Sequence, residues 1–277
     1  MTIEQLAEKL PEKDRIIIGG VVGSFNFRMN DELSDVDTRY YTMPTLTDLI
    51  QKRKKRHLYF MDNHDIQVHD IRRLPYMIRM GDMNQISILF SREQFTNEKY
   101  ADLVNTLIEK REEIAESALS SIYSWGRSMF EKKMGQLQTY KVTEAMYQEH
   151  GYNTKNACQA VYHLRMVERY MYNLAYNVRN PMMTAIDCSE IREDMMKIKN
   201  GAYTLDEFMK IAEDTYAGYA NMLIKTTSNT GTLPWLNHTI EEAIRKAVLS
   251  EEQTASVAED ATIARRAYNS AETYKKA

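Results

Sequence analysis

The stretch GSFNFRMNDELSDVD, residues 23–37, determines how this chain is interpreted. It follows RIIIGGVV, whose continuous branched apolar residues are typical of a buried strand. It ends in Asp35 and Asp37, within the alternating segment SDVDTRYYTM, which predicts a second strand beside the first. Side chains at i and i+2 of a strand point to the same face, so the two carboxylates are expected to project together. A surface turn followed by an edge strand is the alternative interpretation.

The aspartate pair and the glycine before it suit a metal ion and a phosphate group. Two neighbouring carboxylates repel each other, and a hard divalent cation, Mg²⁺ in particular, offsets that repulsion. Gly23 lets the backbone approach phosphate oxygens closely, successive amide N–H groups form an anion-binding concavity, and the Ser24 hydroxyl adds a donor. We therefore predict metal-dependent phosphoryl or nucleotidyl transfer from a nucleoside triphosphate (NTP), with Mn²⁺ as a substitute for Mg²⁺.

A third carboxylate would let two metal ions hold the attacking and the leaving oxygens. The segment HDIQVHDI, residues 64–71, alternates as a strand does and offers Asp65 or Asp70. Asp65 lies on the polar face of the predicted strand, whereas Asp70 lies on its apolar face and precedes a segment of helical period, where an N-cap is needed. We predict that Asp65 joins the metal site, with Asp70 as the alternative.

Composition limits the class of protein. The chain has 277 residues, a formal net charge of −3 and two cysteines, Cys158 and Cys188, which cannot make a disulfide framework and are expected to be reduced thiols. No apolar run approaches the ~20 residues that span a bilayer, and the N-terminus lacks the apolar core of a signal peptide. These features predict a cytoplasmic protein with no membrane partner, or one in a host cytoplasm if the chain is virus-encoded.

The hydrophobic period changes along the chain and predicts an α+β fold. Strand patterns occur before about residue 100, beside a short helix over residues 2–10 and a helix over TLTDLIQKRKKRHLYF, residues 45–60. Beyond that point no convincing strand is found. Helices are predicted over residues 101–133, 154–178, 189–199, 204–226 and 238–275. The expected architecture is a small mixed β-sheet followed by a helical domain.

At these residues the chain resembles the nucleotidyltransferase superfamily that includes polymerase β, the CCA-adding enzymes and kanamycin nucleotidyltransferase. Its signature is an apolar residue followed by Gly-Gly or Gly-Ser, and then Asp-x-Asp or Asp-x-Glu about a dozen residues later. This chain matches the signature with VGS and DVD, which are separated by ten residues. More narrowly, the chain is similar to the YcgL-like predicted nucleotidyltransferases through SDVDTR, DIQVH and NQISILF. The likeness extends over about residues 16–249 and includes the segments YNTKNACQAVYHLRMVE, IREDMMKIKNGAYTLDEF and LPWLNHTIEEAIRKAVL.

The resemblance implies a mixed sheet with the catalytic carboxylates on one face. It also implies transfer of a nucleoside monophosphate from an NTP to an acceptor hydroxyl, with release of pyrophosphate, and it supports Asp65 by position. We therefore predict a nucleotidyltransferase catalytic core over residues 1–98 and a helical domain over residues 99–249 that completes the nucleotide and acceptor site. Residues 250–277 are predicted to form a polar helical or flexible tail.

Further nucleotide-binding residues are predicted on the helix after residue 154. Lys155 lies on a polar helix face, and His163 and Arg165 flank that face on opposite sides. The resemblance implies nucleotide-binding roles for these three, with Lys155 holding the β and γ phosphates. The alternatives are a solvated helix surface and, for His163, a satisfied interior histidine. Arg39 follows the aspartate pair and is predicted either to contact phosphate or to pair with the aspartates.

The acceptor is less well defined than the donor. One basic cluster occurs, formed by Lys52, Arg53, Lys54, Lys55 and Arg56. Such a run either contacts a nucleic-acid backbone or is a well-solvated helix end or loop. The predicted acceptor is thus an RNA, such as tRNA, or a protein. The alternative function is a catalytically silent member of the same fold that senses a nucleotide or binds RNA or protein.

Overall fold

The fold is built around a five-stranded mixed sheet in the order β3-β4-β2-β1-β5. The computed structural model describes residues 1–30, 34–138, 144–222 and 233–250. The strands are β1 (Ile16–Val21), β2 (Val36–Thr42), β3 (Arg56–Met61), β4 (His64–Asp70) and β5 (Gln94–Thr96). β2 and β4 are parallel, and the other neighbouring strands are antiparallel. The predicted α+β class, a small mixed sheet followed by helices, is confirmed.

Helices occupy most of the remaining described residues. Before residue 100 they are α1 (Ile3–Lys9), α2 (Gly23–Asn26), α3 (Leu46–Ile50), α4 (Leu74–Arg79) and α5 (Met83–Ile86). After it come α6 (Ala101–Glu109), α7 (Arg111–Ser117), α8 (Leu119–Met134), α9 (Glu144–His150), α10 (Thr154–Ala175), α11 (Pro181–Ile186), α12 (Ser189–Lys199), α13 (Leu205–Ala220) and α14 (residues 234–250). We call α6–α14 the helical unit. The described part of the chain after residue 100 contains no strand, as predicted.

The predicted helix over residues 45–60 is wrong. Its first part is α3, but the chain then turns at Lys52, which has a φ of +54°, and continues as β3. Asp62 and Asn63 have φ values of +44° and +64°, as in a two-residue hairpin turn, and they return the chain as β4. This hairpin makes β3 an edge strand of the sheet.

Other elements also differ from the prediction. The helix predicted over residues 101–133 is divided into α6, α7 and α8, with breaks at Lys110 and Ala118. The helices α9 and α11 and the short strand β5 were not predicted. Residues 223–226 and 251–275 of the predicted helices, and most of the predicted tail, lie outside the described residues.

The two faces of the sheet have different partners. On one face, α1 covers Ile16, Tyr40 and Ile66, and the Tyr40 hydroxyl donates to the Ile3 carbonyl at 2.7 Å. The other face continues into a larger core shared with the helical unit, in which Tyr41 of β2 and Tyr162 of α10 are both buried. Asp37 and Arg39 lie on β2 at alternate positions with Tyr40, so they face the helical unit.

The central helix of the helical unit is α10, which packs against α8, α11, α12 and α13. Its buried residues occur on all sides of the helix and include Ala157, Val161 and Leu164, as expected for a helix surrounded by others. Its first turns lie beside the end of the sheet that carries Asp37 of β2. No helix in the described ranges has the length and apolar character needed to cross a membrane.

Candidate functional site

The predicted carboxylates come together at one end of the central strand pair. Asp37 of β2 lies directly opposite Asp65 of β4 in the parallel register, and Asp35 lies one residue before β2. Burial raises the pKa of Asp37, and the carboxylates of Asp65 and Asp35 add to this increase against the opposing charges of Arg39 and Lys155. Three like charges are thus held close enough to interact.

Gly23 brings the backbone against this cluster. It has a φ of +66°, and a Cβ atom added to it would lie 2.6 Å from Oδ2 of Asp37. The preceding residue, Val22, donates its N–H to the Asp37 carbonyl at 2.8 Å. Only glycine combines the left-handed conformation with this close approach. The predicted proximity of the Gly-Ser segment to the aspartates is therefore present in the structure.

A cavity of about 220 Å³ lies between this end of the sheet and the helical unit. The sheet side contributes Gly23, Ser24, Asp35, Asp37 and Arg39. The helical unit contributes Lys133, Lys155, Gln159, Tyr162, His163 and Lys199. Asp65 does not line the cavity itself but lies beside Asp37 at its edge.

Three lysines from three different helices line this cavity. Lys155 of α10 acts electrostatically on Asp37 and on Lys133 of α8. Burial lowers the pKa of Lys133, and the charges of Lys132 and Lys155 lower it further. Lys199 of α12 is buried and donates to the Met29 carbonyl at 2.6 Å. Lys155 was predicted from the sequence, whereas Lys133 and Lys199 were given no role, although Lys199 lies in the segment IKNG that supports the family resemblance.

Lys199 also reaches the segment that carries Asp35. Its Nζ lies 3.4 Å from Oγ of Ser34, the residue before Asp35. The Ser34 carbonyl accepts a hydrogen bond from Nδ2 of Asn63 in the β3-β4 turn at 3.4 Å. The start of β2 is therefore held from both the helical unit and the hairpin.

Arg39 is buried near several carboxylates. It is buried, and its charge interacts with those of Asp37, Asp82 and Asp65. Burial lowers its pKa, and these carboxylates oppose that change. Asp82, which accepts from the Asn84 N–H at 3.1 Å and caps α5, was not predicted. The GDMN pattern, an aspartate at the position before a short helix, was the available signal.

Several buried polar atoms at the cavity have no hydrogen-bond partner among the described residues. They include Nε of Arg39, Oε1 of Gln159 and the hydroxyl of Tyr162. Buried polar groups in native proteins are nearly always satisfied, so a cluster of unsatisfied ones indicates a polar ligand. These atoms supply two donors and an acceptor beside the lysines.

His163 and Arg165 have different environments. His163 lines the cavity with its ring edge against Trp125, at a centroid distance of 4.8 Å. Burial, with a further contribution from Lys133, lowers the pKa of His163 to about 4, so the ring is neutral at pH 7. Arg165 is exposed and does not line the cavity, because two residues turn a helix by about 200°. The structure does not bring Arg165 to the predicted site.

Asp70 has the structural role predicted for it. It is buried at the end of β4 and accepts from the backbone N–H of Arg72 at 2.9 Å. Its carboxylate also forms an ion pair with the Arg72 guanidinium. Asp70 lies five residues along β4 from Asp65, so Asp65 is the member of the pair that neighbours Asp37.

The basic run lies in the loop before β3 and at the start of that strand. Lys55 forms an ion pair with Asp48 at 2.8 Å, and Arg56 donates to Oε1 of Gln67 at 3.1 Å. Arg56 is opposite His69, four residues along β4 from Asp65, which is about 13 Å at 3.3 Å per residue. The predicted nucleic-acid contact, Lys52–Arg56, therefore does not line the cavity.

The donor set suits a hard cation, although the metal role stays a prediction. Asp35, Asp37 and Asp65 offer the oxygen ligands that Mg²⁺ prefers. Within the described ranges, no three His, Cys, Asp or Glu side chains already form a group that could hold a metal ion. Binding at this end of the sheet would require the side chains of the three aspartates to converge further.

Comparisons with known proteins add little to this geometry. No family model matches the chain, and no curated protein matches it. Among solved structures, the chain aligns with a nucleotidyltransferase-like protein from Exiguobacterium sibiricum 255-15, over 89% of this chain and 73% of the other, at 14% identity and a TM-score of 0.24. A score this low carries no argument about the site, and the YcgL-like resemblance stays a prediction.

Proposed function

We propose that this protein is a metal-dependent nucleotidyltransferase that transfers a nucleoside monophosphate from an NTP to an acceptor hydroxyl and releases pyrophosphate. The observation that carries the proposal is the in-register pair Asp37 and Asp65 beside Gly23, where Asp37 lines a cavity that is also lined by lysines. Carboxylates for a cation and lysines for phosphates are both needed when a triphosphate is the donor.

The position of each carboxylate suggests a different role for it. Asp35 and Asp37 line the cavity and would hold Mg²⁺ against the triphosphate, whereas Asp65 pairs with Asp37 without lining the cavity and would face the acceptor. Bound Mg²⁺ would supply charge neutralisation at the α-phosphate and a lowered pKa of the acceptor hydroxyl. The charge of Arg39 opposes the rise in the pKa of Asp37 that burial and the neighbouring carboxylates cause.

The cavity suits part of a nucleotide. Its volume of about 220 Å³ is below the ~300–1,000 Å³ typical of sites for whole small molecules. We assign it to the triphosphate, with the backbone at Gly23 and Ser24 and the charges of Lys133 and Lys155 stabilising the leaving pyrophosphate. Neutral His163 contributes a hydrogen-bonding group rather than a charge.

Label transfer tests the proposal. The protein would be incubated with each α-labelled NTP, Mg²⁺ or Mn²⁺ and a cell extract, beside an Asp35→Ala/Asp37→Ala variant and an Arg165→Ala control. We expect label in an RNA, protein or small-molecule fraction with the wild type and the control, and none with the double variant. Equal labelling by the double variant would overturn the proposal.

A catalytically silent nucleotide sensor is the second candidate. It is favoured by one observation, that no three metal-ligating side chains are already grouped among the described residues. An NTP that binds with equal affinity with and without Mg²⁺, and yields no label in any fraction, would support this candidate. Binding that strengthens with Mg²⁺ only when Asp37 is intact would support the enzyme.

A further inference from the structure

The edge strand β3 exposes apolar side chains on the face of the sheet that carries the aspartates. Its residues alternate, with Arg56, Leu58 and Phe60 exposed and the residues between them half-buried. Phe60 is 79% exposed and Leu58 is 54% exposed. Exposed apolar residues are common singly, but two at i and i+2 on one strand form a continuous apolar strip.

The register places this strip beside the third carboxylate. Phe60 lies opposite Asp65, which lies opposite Asp37, so the three form one row across β3, β4 and β2. Directly paired residues project to the same face, and adjacent strands are about 4.8 Å apart. At that spacing, the backbone of Phe60 is about 5 Å from that of Asp65 and about 10 Å from that of Asp37.

The same strand leads from the phenylalanine to the basic run. Arg56 and Phe60 are four residues apart, or about 13 Å, on one face of β3. Lys52, Arg53 and Lys54 precede this strand and are exposed. A strip that is aromatic at one end and cationic at the other, about 13 Å long, spans about four stacked nucleotides at about 3.4 Å each.

We propose that this surface, Arg56 to Phe60 with the basic run, binds the 3′ end of a single-stranded nucleic acid. This inference rests on the proposed function and names its acceptor. The terminal base stacks on Phe60, the preceding phosphates contact the basic run, and the 3′ hydroxyl lies at Asp65. Aromatic stacking combined with a cationic track is how single strands are bound without sequence preference.

The reaction beside Asp65 is then the transfer of a nucleoside monophosphate to the 3′ hydroxyl. The 3′ hydroxyl oxygen forms a bond to the α-phosphorus of the NTP, and the bond between that phosphorus and the bridging oxygen to the β-phosphate breaks. Pyrophosphate leaves with the electron pair, and the hydroxyl proton passes to solvent. No oxidant or further reactant is needed.

Oligonucleotide binding tests this surface independently of catalysis. The probe is a single-stranded RNA of about 12 nucleotides labelled at its 5′ end, measured by fluorescence anisotropy without NTP. We expect Phe60→Ala to weaken binding by about 5- to 150-fold, the range for removal of one base stack, and Phe60→Trp to retain it. Tyr176→Ala is the matched control, because Tyr176 is 67% exposed but lies at the far end of α10.

The contribution of the basic run to RNA binding is tested separately, by its salt dependence. A Lys52→Ala/Arg53→Ala/Lys54→Ala variant should bind more weakly. The slope of log affinity against log salt should also become shallower by about 0.7 for each phosphate that the variant no longer neutralises. These residues are exposed, so unchanged melting temperatures would show that the variants fold.

Three results would overturn this inference. One is RNA binding that is absent or equal in wild type and Phe60→Ala. Another is label transfer to a protein fraction alone, which would leave the proposed function standing with a different acceptor. The third is a Phe60→Ala change in sedimentation without a change in RNA affinity, which would make the strip a contact between copies of the chain. Phe60-dependent RNA binding without label transfer would support the surface while the proposed function failed.

Discussion

Substituting Gly23 by alanine should impair the site without unfolding the protein. The added Cβ would lie 2.6 Å from Oδ2 of Asp37, which is 0.8 Å inside the 3.4 Å at which ordinary contact begins. Either the Asp37 carboxylate or the chain at Gly23 must move by nearly that distance. A misplacement of about 1 Å at a reacting group costs on the order of 10²-fold in rate, so kcat should fall by about that factor.

The stability effect of Gly23→Ala is smaller and can be separated from the effect on rate. An alanine at a φ of +66° costs about 1–2 kcal/mol, which is about 2–8 °C in melting temperature for a chain of this size. Gly151 has a φ of +76° but nothing within 4 Å of its added Cβ, so Gly151→Ala carries the same strain without the contact. Gly218→Ala, on α13 with neither feature, should be neutral or stabilising by up to about 1 kcal/mol.

The assay compares thermal unfolding with the initial rate of label transfer for the three variants. We expect Gly23→Ala and Gly151→Ala to lose similar stability, and only Gly23→Ala to lose most of its activity. Equal activity of Gly23→Ala and Gly151→Ala would contradict this expectation, because the contact with Asp37 would then be irrelevant to the chemistry.

Three other predictions concern the helical unit. Lys155→Ala should weaken NTP binding by about 10- to 150-fold, which is the range for removal of a hydrogen bond to a charged group. Arg165→Ala, the control, should change NTP binding less than about twofold. Calorimetry of both variants checks this, and equal effects on affinity would contradict it. Lys199→Met should lower the free energy of unfolding by about 1.5–3 kcal/mol and also lower kcat, because the Lys199 ammonium donates a hydrogen bond to the Met29 carbonyl at the cavity. Urea denaturation and initial rates check this, and full activity of the variant would contradict it. The pKa of His163 is lowered to about 4, so the unfolded chain binds more protons below about pH 6.5. The stability of the wild type relative to His163→Gln should therefore fall as the pH drops from about 6.5 towards 4, and a constant difference in urea denaturation would be inconsistent with this.

The strands that carry the aspartates could be predicted because their signals are local. A branched apolar run, a glycine and an i, i+2 aspartate pair each lie within a few residues, so β1, β2 and the Asp37 cluster followed from the sequence. Asp65 and Asp70 could be assigned different roles for the same reason, since strand alternation separates their faces.

The edge strand β3 was not predicted because its neighbours favour a helix. Leu46, Leu49 and Ile50 have helical spacing, and the turn at Lys52 uses a positive φ without the glycine or asparagine that usually marks one. The signal that could have corrected this was Asp62-Asn63 between two alternating segments, which is typical of a hairpin. Without β3, the position of Phe60 beside Asp65 could not be foreseen.

The other residues at the cavity depend on packing that no local pattern encodes. Lys133 and Lys199 come from different helices and meet the sheet only because α8 and α12 both pack on α10. Arg165 is the opposite case, a residue that was predicted but does not line the cavity. The resemblance between sequences suggested a nucleotide-binding role for it that the helix geometry does not support.

Nucleotidyl transfer itself is best tested by comparing NTP labelled at the α-phosphate with NTP labelled at the γ-phosphate, in the presence of Mg²⁺ and an acceptor fraction. We predict that the α label enters the acceptor while the γ label is released in pyrophosphate, and that Asp37→Asn abolishes both. Transfer of the γ label to the acceptor, or its release as inorganic phosphate, would contradict nucleotidyl transfer at Asp35, Asp37 and Asp65.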